Sequence, residues 1–82
     1  MPLHVSNSSF ILVLHQDEWQ KLNPNARNIF LEDAIGFSRA DSRVVEMEFS
    51  LADPQLFVDI LGRCHQLELN FGLIRGTEGG AA

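Results

Sequence analysis

Phe10-Ile11-Leu12-Val13-Leu14-His15 is the run that decides the fold. Phe10, Leu12 and Leu14 fall on one side of an extended chain, and Ile11 and Val13 fall on the other. A strand with two apolar faces belongs in the interior of a sheet, with neighbours on both sides. The rest of the chain reads as material that packs beside this strand or over it.

Outward from that run the elements follow in order. Asp17 can cap a short helix carrying Trp19 and Leu22. Asn23-Pro24 interrupts it, and the pairing of a capping side chain with proline at the first helical position predicts a second helix from Pro24 to Ala34. Ala26, Ile29, Phe30 and Ala34 keep helical spacing on its inner face, with Arg27, Asn28 and Glu32 outward. Residues 35–39 read as a brief second strand and 40–42 as turn chemistry. Residues 43–49 alternate as a third strand, with Val45, Met47 and Phe49 inward and Glu46 and Glu48 opposite.

Asp53-Pro54 repeats the cap-then-proline grammar and opens the clearest helix, in which Leu56, Phe57, Ile60, Leu61 and Cys64 recur on one face through Gln66. Gly62 lies inside it and costs up to about 1 kcal/mol relative to alanine, so close packing against a neighbour is expected there. Residues 67–74 read as the last strand, with Leu67, Leu69, Phe71 and Leu73 on one face. Residues 76–82 are glycine-rich and read as a flexible C-terminal tail beyond a single α+β domain at 1–75.

Strand, helix, strand, strand, helix, strand is the order of a ferredoxin-like split βαβ plait. That fold is a four-stranded antiparallel sheet in the order 4-1-3-2, with helices on one face. It places Phe10–His15 at the centre. The helices then cover Leu12, Phe57, Ile60 and Phe71. The opposite face carries Ile11, Val13, His15, Val44, Glu46, Glu48, Glu68, Asn70 and Ile74.

Composition narrows the function classes. A chain of 82 residues buries only about 60–65% of the surface it exposes when unfolded, so a further covered face would help it. Eleven acids against six Lys and Arg give a net charge of −5, the wrong sign for a protein that binds nucleic acid by neutralising phosphate. Cys64 is the only cysteine, which excludes an intrachain disulfide and a cysteine metal cage. A free thiol, with no charged leader before the apolar run, predicts a cytoplasmic chain. The run is too short to span a bilayer, and no membrane association is expected.

No motif names a chemistry. No glycine-rich loop joins a strand to a helix, so no nucleotide cofactor is expected. His15 beside Glu46 or Glu48 lacks the tight spacing of a metal site, and none is expected. Cys64 and His65 are adjacent on a helix and point about 100° apart, so they cannot act as a thiolate–imidazole pair. Cys64 reads as core packing and His65 as a favourable charge near a helix C-terminus.

The expectation is therefore a non-enzymatic interaction or regulatory module that dimerises or docks a basic-surfaced protein through its sheet face. The contact residues would be Ile11, Val13, His15, Val44, Glu46, Glu48, Glu68 and Asn70. One alternative is a cofactor-independent dimeric α+β barrel enzyme with His15 as acid/base. Another is an acidic inhibitor or antitoxin-like protein that masks a basic target surface.

Overall fold

The structure is a computed structural model that describes residues 8–75. The elements are β1 (Ser9–His15), α1 (Gln16–Lys21), α2 (Pro24–Asp33), β2 (Gly36–Asp41), β3 (Val44–Ser50), α3 (Pro54–Gln66) and β4 (Phe71–Arg75). The four strands form one sheet in the order β2-β3-β1-β4, and every neighbouring pair is antiparallel. Phe10–His15 is central, as its two apolar faces require. The expected tail at 76–82 lies outside the described residues.

Register sorts the side chains. Leu12 stands opposite Met47 on β3 and Leu73 on β4, so the even positions of β1 share a face with Val45, Met47, Phe49 and Phe71. Trp19 of α1 and its C-cap Leu22, Phe30 of α2 and Ile60 and Cys64 of α3 join that face in one core. Phe10 is central to it, stacked on Phe49 at 5.4 Å and met edge-on by Phe57 at 4.9 Å. Leu12 and Ile60 are fully buried, while Phe57 and Phe71 are partly buried against the same cluster.

Two of the three helix starts follow the expected grammar. Asn23 Oδ1 accepts from the Ala26 amide at 2.8 Å and Asp53 Oδ1 from the Gln55 amide at 3.0 Å, each with proline next in the chain. At α1 the cap is His15, not Asp17. Its Nδ1 accepts from the Asp17 amide at 3.1 Å, so Asp17 sits in the first turn. Ala26 and Phe30 of α2 and its C-cap Ala34 pack inward at i, i+4 spacing, and Ile29 turns outward at 44% exposure. Arg27, expected outward, is half-buried. Its Nε donates to the Trp19 carbonyl at 3.2 Å, and its guanidinium lies 5.6 Å above the Trp19 ring, tying α2 to α1.

The last strand begins four residues later than residue 67. The Leu69 amide donates to the Cys64 carbonyl at 2.9 Å and the Glu68 amide to the His65 carbonyl at 3.0 Å, with Glu68 at φ 56°. Those paired bonds around a left-handed residue are the Schellman closure of a helix. Residues 67–70 therefore terminate α3, and alternating Leu67 and Leu69 mimic a strand without forming one.

Gly62 does not mark a close approach, because a Cβ built there would meet nothing within 4 Å. Gly62→Ala should therefore raise stability by up to about 1 kcal/mol, read as a higher denaturation midpoint. Phe49→Ala, which empties a fully buried position beside Phe10, should cost about 3–5 kcal/mol in the same titration.

Candidate functional site

The face of the sheet opposite the core is the candidate site. Register places Ile11 between Glu48 and Ile74, Val13 between Glu46 and Gly72, and His15 opposite Val44. On the outer side of β3, Gly36 pairs with Glu48 and Ser38 with Glu46. Six of the eight expected contact residues are thus brought together: Ile11, Val13, His15, Val44, Glu46 and Glu48.

Glu68 and Asn70 are not on this face. Glu68 holds the left-handed position that closes α3, and Asn70 follows it in the connection to β4. Alternation had projected them onto the sheet, but the helix closure takes those residues out of the extended chain. Asn70 instead meets Glu18 of α1: its amide donates to Oε1 at 3.3 Å and its Nδ2 to Oε2 at 3.4 Å. Lys21 Nζ donates to Glu18 Oε1 at 2.9 Å. This small polar knot ties α1 to the α3–β4 connection, and no sequence spacing announces it.

The six remaining residues differ in access. Ile11, expected open, is 1% exposed, although it does not belong to the helix-side cluster. Within an interior strand it has side chains standing on both flanks, Glu48 and Ile74. It is therefore structural and unavailable to a partner. Val13, Val44, Glu46 and Glu48 are half-buried, and His15 is exposed.

The two carboxylates are held differently. Ser9 Oγ donates to Glu48 Oε2 at 2.6 Å. Glu46 Oε1 is shut away from solvent, and among the described residues nothing donates a hydrogen bond to it. An acceptor in that condition forfeits its hydration without compensation, which costs about 1–3 kcal/mol or more for a charged group. The positions whose register places them on this face include no Lys or Arg. His15 Nδ1 is engaged as the α1 cap and lies 3.6 Å from Asp17 Oδ2, which leaves only Nε2 facing outward chemistry.

Other reactive groups lie elsewhere. Cys64 is fully buried in the core, and burial pushes its thiol up to about 11, so no thiolate forms near neutral pH. His65 packs edge-on to Phe71 at 5.6 Å. Among the described residues no group of three His, Cys, Asp or Glu converges as a metal site would need. A shallow hollow on the outward side of α3, lined by Val58, Asp59, Gly62, Arg63, His65 and Gln66, includes none of the sheet-face residues. No helix among the described residues is long and apolar enough to cross a membrane.

No protein-family model, curated protein or solved structure matches this chain.

The polar knot at Glu18 makes acid sensitivity testable. The Lys21 hydrogen bond first, and then the Asn70 amide, hold the Glu18 carboxyl below its ordinary value of 4.5. A depressed folded-state value stabilises the fold above the unfolded value, and that stability is lost as pH falls through the folded value. Glu18→Gln should therefore be less stable than the parent chain at neutral pH. The difference should close under acid conditions, measured by urea denaturation across that range.

Proposed function

We propose that this protein is a non-enzymatic interaction module that docks a basic-surfaced protein partner on the open face of its sheet, and that the fold is a split βαβ plait. The second part rests on the sheet order and on the single core shared by helix and strand side chains. The first rests on one observation above all: Glu46, half-buried between Val13 and Ser38, holds a buried oxygen to which no group among the described residues donates.

Glu46 is half-buried, so a cationic group brought down between Val13 and Val44 would meet its accessible part. The carboxylate turning toward that group would give the shut-off oxygen a donor where charge-assisted hydrogen bonds are strong. Val13 and Val44 supply apolar contact around it, and the described positions that register places on the face bring no Lys or Arg to it. Stacking two copies face to face would set Glu46 and Glu48 against their own images, so charge favours a different, cationic partner over self-association here. Catalysis through His15 gains nothing from this geometry, because its Nδ1 serves the α1 cap.

The test compares the full chain with Glu46→Gln and Glu46→Lys in capture from native lysate followed by quantitative mass spectrometry. The expected result is a protein with a basic surface, retained by the parent chain, weakened by Glu46→Gln and lost with Glu46→Lys. Its retention should also fall steeply with added salt. Circular dichroism checks that both variants fold. Captured proteins that ignore both substitutions would overturn the docking face.

A further inference from the structure

The two edges of the sheet are built differently. β2, on one edge, has its register with β3 interrupted between Ser38 and Asp41 and contains Arg39. Irregular pairing and charge are the usual means by which an edge strand is kept from pairing with another chain. β4, on the other edge, is less guarded: its register is regular and its one charge, Arg75, stands at its end. It pairs with β1 in unbroken register from Phe71 to Arg75, and contains no proline and no charged residue before Arg75. Among the described residues no strand lies against its outer side.

β4 also shows apolar side chains on both of its faces. Leu73, on the helix side, is 36% exposed, and Ile74, on the opposite side, is 44% exposed. Gly72 lies on the same side as Ile74, and a Cβ at Gly72 would meet nothing within 4 Å. Among the described residues the strand thus presents a backbone edge that no other strand pairs, an exposed Ile74 and, two residues earlier, an open space.

We propose that the outer edge of β4 pairs antiparallel with β4 of a second copy of this chain, joining the two sheets into one. A two-fold axis at Leu73 makes the strand its own complement. Leu73 then meets Leu73 of the second copy on the helix side. On the other side each Ile74 falls opposite the partner copy's glycine at position 72, so the bulky side chain enters the space the glycine leaves. Phe71 falls opposite residue 75. Backbone hydrogen bonds supply the attraction, and this size match selects the register. A strand of five residues makes a small interface, so the dimer forms and dissociates with concentration. This assembly uses the sheet edge and leaves the Glu46 face open, so it stands independently of the docking reading.

The experiment is sedimentation velocity and light scattering on the full chain over a concentration series, with hydrogen exchange at low and high concentration. The expected result is a reversible dimer in the micromolar range, with the amides of residues 71–75 gaining protection as concentration rises. Ile74→Lys changes an exposed side chain and adds an edge lysine, and should weaken the dimer by about tenfold or more. Glu46→Gln should leave it unchanged. A chain that stays monomeric at high micromolar concentration overturns the proposal. So does a dimer that withstands Ile74→Lys or dissociates with Glu46→Gln. Hydrogen exchange on the parent chain keeps the test decisive if the lysine variant folds poorly, because dimerisation without added β4 protection also overturns it.

Discussion

The pairing of β1 with β3 is the constraint on which the other elements depend. Phe10 stacks on Phe49 across that pair, Leu12 faces Met47, and Leu14 faces Val45, so three consecutive inward rows close on one another. All six side chains are fully buried. The helices add Trp19, Phe30, Ile60 and Cys64 to a surface those rows have already defined. A small domain gains most of its stability from such a continuous apolar cluster, because its surface is large for its volume. α1 and α2 are further bound to each other by Arg27 over Trp19, and α1 is bound to the α3–β4 connection by Glu18 and Asn70.

The reverse side of the same strand meets no described helix, and its residues divide by position. Ile11 is closed off at the centre, Val13 is half-open beside Glu46, and His15 ends the strand in solvent. The gradient follows from neighbours: each position has flanking strand residues, but only near the middle do large side chains stand on both flanks. What remains accessible is a mixed patch of aliphatic side chains and carboxylate. Glu48 has its donor in Ser9, whereas no group among the described residues donates to Glu46 Oε1, so the two acids that look equivalent along β3 are chemically different.

His15 joins two parts of the molecule. It is the last residue of β1 and, through Nδ1, the cap of α1. While that bond is made, Nδ1 is occupied as an acceptor and only Nε2 is left to meet other groups. The histidine that sequence spacing offers as a free acid/base therefore has one nitrogen committed to structure. Asp17, the more conventional capping residue, loses that role because the helix is capped two residues earlier, at His15.

Local pattern in the sequence determined the element types, the central place of Phe10–His15, and the proline-marked starts of α2 and α3. In each, the signal lies within a few residues: alternation for a strand, or a capping side chain followed by a ring that fixes φ. Register on β1 and β3 was legible for the same reason, which is why six of the eight expected face residues share one surface. Tertiary structure decided the rest. Leu67 and Leu69 alternate like a strand, but the helix before them closes through Glu68 and Leu69, and only that hydrogen bonding tells closure from extension. Gly62 has the sequence mark of close packing, yet no element approaches it. Ile11 and Val13 read identically in the sequence, and their different burial is set by what stands across the strands. The buried oxygen of Glu46 and the less guarded edge of β4 belong to the same class. Each is defined by which of the described groups are absent nearby, and proximity between distant segments is created only by folding.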